Sequence, residues 1–263
     1  MKSGSSFNFT HALCRNPCSR VTQGLRAEDV GDPDFQQFQS QHQHYVDALR
    51  DAGLQVDVLD ANEQFPDSVF IEDAALCLAG VAITLRPGAS SRFGEAEALR
   101  PELVDRFNEV IDLPGPGFID GGDILVTDTE VLVGLSARTD RDGFNALAVI
   151  VESLGYSARQ IHTPPDILHF KTDCGLLDSN TIFASRPLAA SGCFADYSVI
   201  EAPEDEKAAA NLIRVNDRVF ISAGYPKTCE LLQHHGYLVV ALPTSEAAKV
   251  DGGLSCESLR YCL

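Results

Sequence analysis

Basic residues are scarce in this sequence: 20 lysines and arginines stand against 38 aspartates and glutamates, for a formal charge of −18. A surface so acidic repels phosphate backbones and anionic lipid headgroups, which argues against nucleic-acid and membrane partners and leaves room for a small cation. No apolar run reaches membrane-spanning length. The opening residues Met1-Lys-Ser-Gly-Ser-Ser-Phe-Asn-Phe lack the apolar core of a secretory signal. There is no G-x-S-x-G, no phosphate-binding P-loop, no G-x-G-x-x-G and no H-E-x-x-H. Serine-hydrolase elbows, nucleotide and dinucleotide cradles and zincin helices are thereby excluded. Linkers, low-complexity runs and shifts of composition are missing too, so residues 1–263 read as a single domain.

Eight cysteines are present, at 14, 18, 77, 174, 193, 229, 256 and 262. Their irregular spacing and the missing signal predict reduced thiols in a cytoplasm rather than a disulfide framework. Cys14 and Cys18 have the start of a zinc spacing, but no second Cys/His pair answers them.

Read in order, the chain alternates short apolar pairs with helices. Asp32-Pro-Asp opens a helix with Phe35, Phe38, Val46 and Leu49 on one face, stopped by Gly53. Residues 54–59 alternate as a strand. Ser68–Asp73 reads as the close of an apolar strand, and residues 74–85 as a hairpin across Ala79-Gly80. A helix is expected over residues 91–107, then strands around 118–126 and 131–134, then a helix over 140–154. Strand, polar turn and strand recur at 175–184 and 212–222. A helix over 227–235 and a strand over 237–242 precede the last unit at 250–261. The period of roughly 40 to 50 residues allows a ring of αβ modules. An irregular mixed α/β sheet fits the periodicity equally well.

Polar clusters close several of these units. Asp67, Glu72 and Asp73 lie within seven residues, and Asp120-Gly-Gly-Asp123 has two glycines that allow close approach. His169 follows Ile167-Leu168, with Pro164-Pro165 upstream. Asp251-Gly-Gly-Leu-Ser-Cys256 carries a thiol on a short terminal strand. Carboxylates beside a thiol and a histidine suit a guanidinium. That cation is planar, permanently charged and satisfied by carboxylate forks. A thiolate can attack its carbon, and a histidine can protonate the departing amine and then activate water. Anionic neighbours should hold the resting Cys256 thiol at or above its ordinary pKa, until an arriving guanidinium reverses the sign.

Phe65-Pro-Asp-Ser-Val-Phe-Ile-Glu-Asp73, Arg86-Pro-Gly with Ser91-Arg92, Gly121-Gly-Asp123, Gly134-Leu-Ser-Ala-Arg-Thr139, Leu168-His-Phe-Lys-Thr172 and Asp251-Gly-Gly-Leu-Ser-Cys256 occur in order along the chain. Together they resemble the dimethylarginine dimethylaminohydrolase family of guanidino-modifying enzymes, from about Leu25 to Arg260. The resemblance implies one catalytic domain over residues 1–263, folded as a five-fold pseudosymmetric αβ propeller of ββαβ-like modules. It implies hydrolysis of dimethylarginine and monomethylarginine to citrulline and a methylamine, through a covalent cysteine intermediate. Cys256 is then the nucleophile, His169 the proton donor and later the base, and Asp120 the residue that orients His169, where some relatives carry Glu. Glu72 and Asp73 line the guanidinium site; Leu25, Asp67, Arg92, Arg138 and the Val250 main chain hold the amino-acid end. No metal or organic cofactor is implied, although zinc could inhibit by bridging Cys256 and His169. The implied partner is a small cationic amino acid, with self-association into a homodimer left open. His42, His44, His162, His234 and His235 read as surface or helix residues.

Two other readings compete: arginine deiminase or amidinotransferase chemistry on an unmethylated guanidine, and a non-catalytic propeller that binds a partner. The chains with those guanidine activities resemble longer ones with insertions. A binding module need not keep a cysteine, a histidine and carboxylates at matching points.

Overall fold

The apolar stretches paired in the sequence become antiparallel strand pairs, and after each pair a helix brings the chain back to add a third, parallel strand. The computed structural model describes residues 6–164 and 167–263, so expectations resting on residues 1–5 and on Pro165 lie outside the described residues. Strand β1 (His11–Arg15) leads through α1 (Phe35–Asp51) to β2 (Gln55–Leu59), its parallel neighbour. β3 (Ala75–Leu78) and β4 (Val81–Thr84) form the expected hairpin, and α2 (Glu95–Val104) crosses to β5 (Val110–Asp112). β6 (Ile124–Val126), β7 (Glu130–Leu135), α3 (Arg141–Ser153) and β8 (Ser157–His162) repeat the design. So do β9 (Cys174–Asp178), β10 (Thr181–Ala184), α4 (Arg186–Ala190) and β11 (Ser198–Glu201). The next copy is β12 (Ile213–Val215), β13 (Arg218–Ser222), α5 (Pro226–His234) and β14 (Leu238–Leu242). After α6 (Ser245–Ala248), β15 (Leu259–Tyr261) returns to pair antiparallel with β1, so the two ends of the chain complete one sheet.

Five three-stranded sheets of one ββαβ design result, and the ring is preferred over the irregular sheet. The first strand of each module (β3, β6, β9, β12 and β15) faces a cavity of about 290 Å³. That common frontage defines the pseudosymmetry axis. Between modules the inner strands touch directly, β9 against β12 and β15 against β3.

Local chemistry explains the helices. Asp34 caps α1 by accepting from Gln37 N at 2.8 Å, a bond of about 1 kcal/mol. Tyr45 and Leu49 sink into a cluster with Phe220 and Leu254, each fully buried side chain worth roughly 1.5–3 kcal/mol. Two turns before Tyr45, Phe38 packs instead with Phe70, Val250 and Cys256. The same helix thus braces both a sheet and the end of the chain that carries the thiol.

Several sequence expectations are corrected. The helix expected over 91–107 is confined to α2, because Gly94 at φ +97° breaks the chain after a 3-10 turn at Ser90–Arg92. Ser68–Asp73 and residues 118–123 are not strand: Ile71–Ala74 and Gly121–Asp123 are 3-10 turns that precede β3 and β6. Cys256 likewise lies in a turn before β15 rather than on a strand. The third strands β5, β8 and β11 carry too few alternating apolar residues to stand out in the sequence. His42 belongs to α1 as expected but is 2% exposed, with no partner for Nε2 among the described residues.

Candidate active site

The turn before each inner strand is what the fold brings together. The turns at Ile71–Ala74, Gly121–Asp123 and Phe170–Thr172 pack in series at one end of the axis. The turn before β15 joins them, since Glu72 N donates to the Cys256 carbonyl at 3.2 Å. Asp73, Asp120, His169 and Cys256 come from four modules and are all buried.

His169 faces carboxylates on every side. Its Nε2 lies 2.9 Å from Asp120 Oδ2, and Asp120 Oδ1 accepts from Gly88 N at 2.7 Å. Nδ1 lies over Gly122, where a Cβ would come within 2.7 Å of it, so no larger residue fits. Asp123 accepts from Ser136 Oγ, Thr139 Oγ1 and Phe170 N at 2.6 to 2.8 Å, which fixes the backbone just after the histidine. Burial by itself would lower the His169 pKa. The Asp73 charge, the Asp120 hydrogen bond and the Asp123 charge outweigh it and raise the value to about 9. The imidazole is therefore a cation at neutral pH.

Asp73 receives Gly122 N at 2.8 Å and Arg92 Nη1 at 2.5 Å. Burial works against its charge, but Arg92, His169 and the Gly122 N–H together hold its carboxyl below the usual range. Burial and then the charges of Asp73 and Glu72 push the Cys256 thiol up to about 12; the direction is the one expected, but burial, not the anions, is the largest cause. The resting sulfur is a thiol, 3.8 Å from Ser255 Oγ.

Glu72 is the least satisfied member. Oε1 pairs with Lys171 Nζ at 2.6 Å and Arg260 Nη2 at 2.9 Å, while Oε2 is buried with no hydrogen-bond partner among the described residues. An orphaned carboxylate oxygen costs free energy unless a ligand donates to it. Asp73, Asp120 and His169 also offer ligand atoms within 4.8 Å of one another, the only such metal-competent set among the described residues. Their oxygens are already engaged by Arg92, Gly122 N, Gly88 N and the imidazole, a donor set that suits a histidinium better than a metal ion.

The amino-acid end assembles beside this cluster. Asp67 Oδ1 accepts from Leu25 N at 2.9 Å. A Cβ on Gly24 would touch both Asp67 Oδ1 and Val250, so Leu25, Asp67 and Val250 are neighbours. The two arginines differ. Arg92 is 4% exposed and spends its donors on Glu95, Asp73 and the carbonyls of Asp67 and Phe70, leaving one Nη1 hydrogen uncommitted. Arg138 is half-buried, and its guanidinium has no hydrogen bond or ion pair among the described residues. Its backbone packs on Gly88, and its charge reaches Asp67.

Sequence reading passed over Lys171, Arg260 and Glu95 as site residues. Lys171 stood in plain view two residues after His169, and Glu95 lies three residues after Arg92. Only the fold could bring Arg260 to Glu72, 188 residues away.

A five-bladed αβ propeller with a thiol, a histidinium and clustered carboxylates at one end of its axis defines a guanidino-modifying enzyme. The profile of the eukaryotic N,N dimethylarginine dimethylhydrolase family matches residues 31–170. The chain is 39% identical to the N(G),N(G)-dimethylarginine dimethylaminohydrolase of Pseudomonas aeruginosa, over 96% of this chain and 100% of that one. It is 31% identical to the enzyme of the same name from Streptomyces coelicolor, over 95% and 96% of the two chains. It superimposes on the Pseudomonas enzyme, a cysteine-to-serine mutant complexed with citrulline, with a TM-score of 0.94 at 38% identity, covering 97% of this chain and 100% of that one. The chain belongs to the dimethylarginine dimethylaminohydrolase family. The N-terminal domain of a cyanobacterial arginine dihydrolase, 19% identical with a TM-score of 0.85, shares the fold.

Proposed function

We propose that this chain hydrolyses Nω-methylated arginines, dimethylarginine and monomethylarginine, to citrulline and a methylamine, with Cys256 as the nucleophile. The observation that carries the reading is the buried, unpartnered Oε2 of Glu72 beside the Cys256 thiol and the ionised Asp73. A guanidinium donates to both carboxylates and ends the orphaning of that oxygen.

Its positive charge also favours the thiolate, so the substrate activates its own nucleophile. As the guanidinium arrives, the thiol releases its proton to solvent water, to be regained when the thiolate is expelled at the end of the cycle, and the sulfur adds to the guanidinium carbon. His169, already protonated and held by Asp120, gives its proton to the departing methylamine. A planar S-alkylthiouronium remains on Cys256. His169, now neutral, takes a proton from water; the resulting hydroxide adds to the same carbon, and the thiolate leaves as citrulline forms. Arg138 binds the substrate carboxylate, assisted by the one free hydrogen of Arg92. Asp67, the Leu25 segment and the Val250 main chain receive the α-amino group.

Every step uses groups of the chain, so no metal or organic cofactor is needed. Zinc acts as an inhibitor if it bridges Cys256 and His169. The charge of −18 suits a cationic amino-acid substrate and disfavours nucleic acid and anionic membranes. No helix among the described residues is long and apolar enough to cross a membrane. All eight cysteines are free, which supports a cytoplasmic setting. Site residues drawn from Leu25 to Cys256 support one catalytic domain over residues 1–263, acting alone or as a homodimer.

Product analysis tests the reading. Dimethylarginine should give citrulline and dimethylamine in equal amounts, and arginine should give little ammonia. Ammonia from arginine at a comparable rate would make the chain a deiminase.

A further inference from the structure

The axial cavity continues past the candidate site to the opposite face of the ring. Its inner end holds Glu72, Lys171 and Arg260, and its far mouth lies at Phe9, Gly80 and Cys262. Between them, walls from β3, β6, β9, β12 and β15 present Leu76, Val126, Leu176, Ile213 and Tyr261. This space lies behind Glu72, away from the groups assigned to the amino-acid end.

Its charge is anomalous for this protein. Acids outnumber bases by 38 to 20 in the whole chain. The charged residues lining the cavity are Lys171, Arg214, Arg260 and a single acid, Glu72. Arg214 is committed to the carbonyls of Leu177 and Asn216 and lies over the Phe7 ring. Lys171 and Arg260 share one oxygen of Glu72, so the inner end carries a net charge of +1. The Lys171 side chain is 12% exposed and makes this one ion pair, which leaves two of its N–H groups without a partner among the described residues. A cationic end in an apolar tube selects a monoanion with an apolar tail.

We propose that the axial cavity is a second ligand site, for small amphipathic carboxylates whose head reaches Lys171 and Arg260 and whose tail fills the tube. A volume of about 290 Å³ holds about ten water-sized groups, the size of an eight-carbon carboxylate. The head competes with Glu72 for its two cations. Glu72 N also donates to the Cys256 carbonyl and the Glu72 charge acts on the thiol, so the two sites are coupled through one residue. The occupant therefore slows turnover without entering the substrate pocket.

Octanoate is the probe, with octylammonium as the charge control. Calorimetry on Cys256→Ser saturated with citrulline should give one-to-one binding of octanoate and none of octylammonium. Val126 sits at the end of β6 remote from the Gly121–Asp123 turn, and Val126→Phe narrows the tube. This variant should keep wild-type kcat/KM and bind octanoate at least about tenfold more weakly. In wild-type turnover, octanoate should lower kcat with little change in KM. The kinetic arm rests on the proposed reaction; the calorimetric arm does not, so the two can fail separately. No saturable octanoate heat, loss of that heat when citrulline is bound, equal binding of octylammonium, or inhibition competitive with dimethylarginine would each overturn the site.

Discussion

Arg92 and Arg138 resemble each other in sequence terms, two arginines assigned to one substrate carboxylate, yet they sit in opposite physical situations. Arg92 is sealed among Glu95, Asp73 and two carbonyls, all of them buried. Arg138 stands half-buried with its guanidinium unpaired among the described residues. The region around Arg92 is thus built in advance: it holds Asp73 ionised, and Asp73 in turn raises both His169 and Cys256. The region around Arg138 is completed by substrate. Chemistry requires fixed charge, because a carboxylate that moved or became protonated would change the protonation of its neighbours. Capture of an amino acid requires a cation not already spent.

The comparison can be broken at several points. Cys256→Ser should lower kcat by at least about a thousandfold while citrulline still binds, because serine lacks a base able to ionise it; single-turnover assays check this. Asp120→Asn should cost about 10²–10⁴ in kcat, and because it removes an anion from His169, the alkaline limb of the rate profile should move to lower pH. Arg92→Leu should destabilise the fold by about 3–5 kcal/mol, the expected result of leaving buried carboxylates unpaired, with denaturant unfolding as the measurement. Arg138→Leu should leave stability unchanged and raise KM by about ten- to a hundredfold with kcat much less affected. Equal stability losses for the two arginine variants would erase the distinction.

The pH dependence of stability gives a separate test. The folded His169 pKa of about 9 lies above its ordinary value, so its contribution is complete below about pH 6.5 and is lost as pH rises through about 9. Wild type should lose more stability than His169→Gln between pH 6.5 and 9.5. Parallel curves for the two proteins would mean that His169 is neutral in the folded resting state.

Repetition of strand pairs and helices was legible because the apolar pairs of β3–β4 and β12–β13 are short and bounded by turn residues. The 3-10 turns that carry the site were misread as strand ends, since Val69, Phe70 and Ile71 are as apolar as a strand and are buried for another reason, packing under the turn. The polar ends of the modules could be listed from the sequence, but not their convergence. That comes from a ring in which each turn meets the next across gaps of about fifty residues, such as Asp73 to Gly122 and Asp120 to His169. Burial of Arg92 was equally hidden, because Asp73 and the carbonyls of Asp67 and Phe70, which enclose it, lie 19 to 25 residues away in the sequence.

The central claim is that the resting thiol is protonated and that substrate charge ionises it. Alkylation of Cys256 should be followed as a function of pH in the tryptic peptide 250–260, which separates it from the exposed Cys262. The measurement is made with and without a non-reacting guanidinium ligand too small to cover the sulfur. The expected result is a pKa well above 8.5 for the free enzyme, lowered by at least one unit by the ligand, a shift of about 1.4 kcal/mol. A free-enzyme pKa below about 7 that the ligand leaves unchanged would contradict the account and establish a preformed thiolate–imidazolium pair.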